Sequence, residues 1–434
     1  MTRLTFRIAM LLIIYVFSSV LLGGSEVRAE AGEHFEAAPY HLGVVLALTG
    51  TGALYSKDGI DAIKLAVEEI NAAGGFLGKH PVRLFIRDTH TEPDVAVRET
   101  TALILRDNVR CILGTYSSAC AIVIKSETRK HKVLHIAAIS NSENITRTDF
   151  SPYTFSVVPN SYMQASAVAL GVARLARKKG WKAYITLASD YEWGRSTQAN
   201  FVRQLEKAAP ELKLKAELWP RLGENRFSSY IAAIISRKPD FVYGSLGSRD
   251  NMMWMNIAKK YDFFKKFAYP GSLISVSELI TQAETIPRGM IGLCRAPFFA
   301  HGDVHIMKHF VESFRSKYKR YPSDWAVMEY DAVYALKQGI DKAGSVSSEK
   351  VKDTMKGMTI DTTRGKLFFR EIDNQLSCSS YLGVVADDPA YPFPVYKELI
   401  EIKGPDSWRG EEEILSERLK TSVRPYGQEI LSYP

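Results

Sequence analysis

The chain has 434 residues, 46% apolar and 24% charged, with 56 Lys and Arg against 48 Asp and Glu for a net charge of +8. That balance excludes a disordered, collagen-like or multi-span membrane protein, and at roughly 150 residues per domain it predicts two or three domains with ample core. Four cysteines are too few for a disulfide scaffold, and a basic excess read as spread along the chain gives no reason to expect a nucleic-acid partner.

Residues 1–29 read as an export signal. Arg3 and Arg7 make a positive start, Ile8 to Leu22 is apolar apart from Tyr15, Ser18 and Ser19, and Val27-Arg28-Ala29 ends in the small-residue pattern of a cleavage site. The apolar run is short for a membrane span, and no cysteine stands nearby to carry a lipid. Cleavage after Ala29 removes three arginines and one glutamate and leaves a net charge of +6. The expected product is a soluble periplasmic protein. Cys111, Cys120, Cys294 and Cys378 then enter an oxidising space, where a Cys111–Cys120 bridge and four small buried thiols both stay open.

From residue 40 strands and helices alternate. His41 to Leu48 is the continuous apolar run of a buried parallel strand. Ile60, Ile63, Val67 and Ile70 line one face of a helix that stops at Asn71-Ala72-Ala73-Gly74-Gly75. Pro81 to Asp88 alternates as a strand, and a helix over 93–107 has proline near its first position. Further strands are predicted near 109–114, 132–138, 182–188, 213–219, 239–246, 266–270 and 289–295. The class is α/β with mostly parallel sheets. The alternation pauses at 151–160, 291–298 and 363–369. Three such crossings predict two Rossmann-like lobes with a cleft between them, joined by three hinge strands. The lobes are expected over 40–157 plus 296–366 and 158–295 plus 367–403. Residues 404–434 form an extension with a short helix near 411–420.

Tests for chemistry are mostly negative. Thr49-Gly50-Thr51-Gly52-Ala53-Leu54-Tyr55 imitates a dinucleotide fingerprint, but Tyr55 stands where the last glycine belongs. No G-x-S-x-G elbow occurs, so no cofactor and no hydrolase nucleophile are expected. His301, His305 and His309 recur every four residues with Glu312 following, a spacing that suits a metal but equally a solvated helix face. What remains is a binding cleft. Gly114-Thr115-Tyr116-Ser117-Ser118 ends a strand and opens a helix, where hydroxyls and free N–H groups suit a carboxylate. Ile139-Ser140-Asn141-Ser142 ends the next strand, and Tyr55 follows the first.

With these segments the chain resembles the type I periplasmic solute-binding proteins of branched-chain amino acid (Leu/Ile/Val-type) ABC importers, over roughly residues 40–400. Val67 to Gly75, Ser189-Asp190-Tyr191-Glu192-Trp193-Gly194 and Tyr330-Asp331-Ala332-Val333-Tyr334 add to the resemblance. It implies two lobes that close on a small ligand like a hinge. Ser118 then holds the ligand carboxylate, and Ile139, Ser140 and Asn141 complete the first-lobe contact. Tyr55 forms an aromatic wall, and Trp193 replaces a second-lobe tyrosine. Two positions depart. The family's acidic anchor for the ligand's amino group, one place after a proline, falls on Gly271, and a second-lobe tyrosine falls on Gly247. Without the acid an ammonium lacks its counter-charge, unless Asp190, Asp250 or Glu278 substitutes. Arg249 suggests a second negative group instead.

The expectation is therefore a monomeric, non-enzymatic exported protein that delivers a ligand to ABC permease subunits. That ligand is an amino acid-like molecule, a small or aromatic carboxylate, or an amide. One alternative is a sensor presenting the same cleft to a membrane receptor or kinase. Another is a metal-dependent enzyme using His305 and His309.

Overall fold

A computed structural model describes residues 37–271 and 274–422; the expected signal peptide and the end of the tail lie outside the described residues. The first sheet holds β1 (Tyr40–Leu46), β2 (Val82–Asp88), β3 (Cys111–Gly114), β4 (Leu134–Ala137) and β5 (Thr154–Ser156). All pair in parallel, in the spatial order β2-β1-β3-β4-β5. Between them run α1 (Ala53–Ala72), α2 (Pro93–Leu105) and α3 (Ser118–His131). The strands are short, and apolar on both faces where helices cover them. Gly74 and Gly75 stop α1 with φ of 93° and 78°, backbone that glycine adopts without a Cβ penalty.

After β5 the chain passes into α4 (Ser161–Lys179) and a second parallel sheet. This comprises β6 (Ala183–Ala188), β7 (Lys213–Leu218) and β8 (Phe241–Ser245), in the order β7-β6-β8. Here α5 (Glu192–Ala208), α6 (Ser228–Arg237), α7 (Ser248–Lys259) and the single turn α8 (Phe263–Lys266) follow the strands. The strand expected over 266–270 reduces to one bridge, Phe241 to Ala268, with Val242 and Gly244 donating to the carbonyls of Ala268 and Pro270.

After the short α9 (Val276–Thr281) comes β9 (Ile291–Cys294), and the chain returns to the first lobe through α10 (His305–Tyr318), α11 (Asp324–Ala343) and α12 (Ser348–Met355). A hairpin, β10 (Thr359–Thr362) with β11 (Gly365–Phe368), precedes β12 (Ser380–Ala386) and β13 (Val395–Ile402), which join β9 in a small antiparallel sheet. One apolar core runs through both lobes.

The crossings are pinned by buried polar groups. Arg364 pairs with Asp331 at 2.9 Å and donates to the Val157 carbonyl at 2.8 Å. Gln375 donates to the Val158 carbonyl at 2.8 Å, and Arg295 reaches the Ile139 carbonyl at 3.1 Å. The tail packs as α13 (Gly404–Ser407) and α14 (Glu411–Ser422), close to the helix expected there. Between them Arg409 is buried against Glu143, 2.8 Å away, and Asn200 of α5, 2.9 Å away.

Candidate functional site

Three first-lobe and three second-lobe stretches meet at the carboxyl ends of their strands, the usual ligand position in open α/β sheets. Beyond β3, Tyr116 and Ser118 project from the loop and first turn of α3; beyond β4 come Ile139 and Asn141. From the other side come Tyr191 and Trp193 at the start of α5, and Gly247 before α7. Arg295, on the crossing after β9, and Trp325, in the first turn of α11, close the ring. The free space left among them is about 20 Å³, far below the roughly 300–1,000 Å³ of drug-sized ligand sites, so a ligand fits only when the lobes part.

Ser118 is buried and accepts the Ser142 N–H at 3.1 Å, which leaves its own hydroxyl proton to give. The Gly247 N–H is held by Ser189 Oγ at 2.9 Å. The Trp193 indole N–H is buried without a hydrogen-bond partner. Four of the nine lining residues carry aromatic rings, but the surface the lining presents to the cleft is more polar than apolar.

Among the described residues Arg295 is the only charged one in the lining. It donates to Gln164, to the Ile139 carbonyl and to Asn141 Oδ1 at 3.1–3.4 Å. Its guanidinium also lies 5.0 Å from the Trp325 ring and 5.9 Å from the Trp193 ring. Among the described residues no carboxylate comes within ion-pair distance of it; Asp324 acts only from farther off. Burial pulls its basicity down from the ordinary arginine range, and Asp324 works against that; the group remains a cation.

Tyr55 stands one layer back, stacked on Tyr116 with centroids 5.9 Å apart, and donates to Glu278 Oε1 at 3.0 Å. Ser140 is buried beside the cleft and does not line it. Gly271 lies elsewhere, on a separate hollow with Val168 and Leu382; its φ is 90°, and Tyr243 fills the space a side chain would need, with Cε2 2.3 Å from an ideal Cβ. Arg249 is exposed and lines none of the hollows described here. None of the three substitute acids reaches the cleft. Asp190 pairs with Arg195 on the surface. Asp250 accepts the Gly223 N–H at 2.9 Å, and burial pushes its carboxyl up to about 6. Glu278 takes hydrogen bonds from Tyr55 and Ser275, and burial pushes it up to about 7.

The histidine series does not assemble. His301 is buried in a turn before α10, His305 opens that helix, and His309 faces Glu69 at 3.1 Å. Among the described residues no group of three His, Cys, Asp or Glu could hold a metal ion. The four cysteines are buried free thiols, so the Cys111–Cys120 bridge is not formed.

Tyr116, Tyr191, Arg295 and Trp325 are lining residues that the sequence reading passed over. Arg295 left one trace: it is the lone charge in the apolar run Ile291 to Phe298, where a basic residue must be buried and held.

A family model described as periplasmic binding protein matches residues 39–389. The chain is similar to the leucine-, isoleucine-, valine-, threonine- and alanine-binding protein of Pseudomonas aeruginosa, with 22% identity over 324 residues, 75% of this chain and 84% of that one. Its fold matches a periplasmic binding protein from Burkholderia mallei with a TM-score of 0.77 at 21% identity, covering 86% of this chain and 97% of the other. It also matches an ABC transporter solute-binding protein from R. palustris, solved in complex with benzoate, with a TM-score of 0.74 at 20% identity, covering 84% and 97%.

Proposed function

The chain belongs to the periplasmic binding protein family, and on that premise we propose that it captures a small carboxylate between its lobes and delivers it to the membrane subunits of an ABC importer. The observation that carries this is the lining: among the described residues it holds one buried guanidinium without an acidic partner at contact distance, the Ser118 hydroxyl, and no Asp or Glu. An α-amino acid brings a carboxylate and an ammonium, and the ammonium finds no counter-charge here. A carboxylate without an amino group satisfies Arg295 and leaves nothing unpaired, and a neutral amide uses the cation less well. Four rings around the space favour a planar ligand, and a relative of this fold was solved with benzoate.

Ser118, Ile139, Asn141, Trp193 and Gly247 are then ligand contacts, and Tyr55 and Ser140 support them from behind. Gly271 and Arg249 act outside the site. The lobes divide as 40–157 with 296–366 and 158–295 with 367–403. Closure is stabilised by the ligand's differential affinity for the closed form, and Ser142 and Asn144, which each donate to Glu192 at 2.6 Å across the cleft, report that closure. No His, Asp or Glu lines the space to serve as a base for Ser118, which favours binding over catalysis. The protein works as a periplasmic monomer after loss of residues 1–29.

The test is thermal unfolding of residues 30–434 against a panel of aliphatic and aromatic carboxylates, amides and amino acids. A ligand at 100 times its Kd adds roughly 2.7 kcal/mol. A carboxylate lacking an amino group should raise the midpoint, and Ser118→Ala should shrink that shift. A panel in which only branched-chain amino acids raise it contradicts the proposal.

A further inference from the structure

The basic excess is not spread along the chain, as its composition first suggests. Residues 158–295 carry 21 Lys and Arg against 11 Asp and Glu, while the rest of the chain carries 35 against 37. The entire net positive charge therefore comes from one stretch, the bulk of the second lobe.

The topology gathers these charges at one pole. In a parallel α/β layer strands begin and helices end on the same side, opposite the ligand-binding rim. Here α4 ends in Arg177, Lys178 and Lys179, and β6 begins beside Lys182. The Lys213 N–H at the start of β7 donates to the Lys182 carbonyl, and Lys215 Nζ reaches the carbonyls of Arg237 and Lys238 at the end of α6. Lys259 and Lys260 end α7, and Lys265 and Lys266 follow in α8. All of these cations are exposed. A basic last turn ordinarily answers the helix dipole. That does not account for this pole: where α3 of the first lobe ends in Arg129, Lys130 and His131, the carboxylates of Asp149 and Glu127 answer them, and at this pole such partners are largely missing. Among the described residues only Lys265 of these cations has a carboxylate partner, Asp262 at 2.7 Å.

Aromatic side chains sit among them. Tyr261 is 42% exposed, and half-buried Trp181, Phe264 and Phe267 line a hollow of about 320 Å³ together with Lys265 and Arg288. Lysines interleaved with tyrosine and tryptophan match the two layers of a bilayer surface, anionic headgroups over an interface that prefers aromatic rings.

We propose that this pole of the second lobe docks reversibly on an anionic phospholipid surface, with the ligand cleft at the opposite ends of the strands left open. Such docking concentrates the protein at the membrane without blocking ligand entry.

The experiment is co-sedimentation of residues 30–434 with vesicles of phosphatidylethanolamine and phosphatidylglycerol, and with phosphatidylcholine alone. The parent is compared with Lys178→Gln/Lys179→Gln/Lys260→Gln and with Tyr261→Ser. These side chains are exposed, and circular dichroism with the thermal midpoint verifies folding of each variant. The expected result is binding to the anionic vesicles at low salt, release near 0.5 M NaCl where screening is short-ranged, and weakening by at least about tenfold in the triple variant, since each lysine near such a surface is worth roughly fivefold. Equal binding to phosphatidylcholine, no sedimentation with anionic vesicles at low salt, or a triple variant that binds like the parent overturns the proposal. So does tighter retention by heparin than by anionic vesicles at the same salt, which would make the pole a polyanion site.

Discussion

A guanidinium taken out of water is costly unless hydrogen bonds and rings replace its hydration. Arg295 is given three acceptors and two tryptophan faces, but no opposite charge at contact distance. Its remaining N–H groups are what a ligand carboxylate can use. Arg295→Gln should leave the fold intact and weaken carboxylate binding by about 2–3 kcal/mol, whereas Ser118→Ala should cost about 1 kcal/mol; calorimetric titration of both variants separates the two. Glu329 presents the opposite case. It is buried on α11, neither carboxyl oxygen has a partner among the described residues, and burial alone pushes it up to about 8. A raised acid favours the protonated fold, so this group's contribution to stability is whole below about pH 4.5, its ordinary value, and falls as pH rises towards 8. Glu329→Met should therefore stabilise the protein by roughly 1–3 kcal/mol at pH 8 and by less at pH 5 in urea titrations. A variant that loses stability at pH 8 would show that the carboxyl is held by a hydrogen-bonding partner in the fold. Which single side chains line the cleft was only partly legible. Ser118, Ile139, Asn141 and Trp193 follow strand ends that local patterning exposes. Arg295, from a crossing, and Trp325, from the first turn of α11, arrive from more than a hundred residues away in sequence, and no local pattern aims them.

At the scale of elements the sequence was more informative, because strands in a parallel sheet are buried on both faces and their apolar runs are unbroken. Eight of the nine strands expected before residue 300 form within two or three residues of their predicted ends. The exception, 266–270, carries Pro270 and Gly271 at its end and keeps only a bridge and two hydrogen bonds, since proline gives no ladder N–H and glycine at φ 90° turns the chain away. The same turn takes Gly271 out of the cleft, and Tyr243 occupies the space a side chain there would need. Gly271→Asp should consequently lower stability by more than about 2 kcal/mol, through strain and overpacking, and should not confer leucine binding. An aspartate variant that folds normally and binds leucine would place this loop in the cleft after all.

Over the whole molecule, the tail reaches across both lobes. Arg409 lies over the Tyr162 ring at 4.2 Å and joins Glu143, beyond β4, to Asn200 on α5. Glu417 pairs with Arg147, and Arg418 donates to the carbonyls of Thr146 and Ile372. The sequence predicts an extension with one short helix, but composition does not show that one buried arginine ties it in. Arg409→Ala leaves Glu143 buried without its main cation, and should lower unfolding free energy by about 3 kcal/mol in urea melts; an unchanged melt would mean that the tail is energetically detached. The two-lobed plan itself was legible because three pauses interrupt an otherwise regular alternation, whereas the gathering of the second lobe's charge at one pole appears only once helix ends are brought together in space. The central claim concerns the cleft between those lobes, and calorimetric titration with matched pairs, each small aliphatic or aromatic carboxylate beside its own amide and beside leucine, tests it most directly. The account predicts that at least one carboxylate binds roughly 10- to 100-fold more tightly than its amide and more tightly than leucine, and that Arg295→Gln removes the difference. Leucine as the tightest ligand, with Arg295→Gln binding it undiminished, would contradict it.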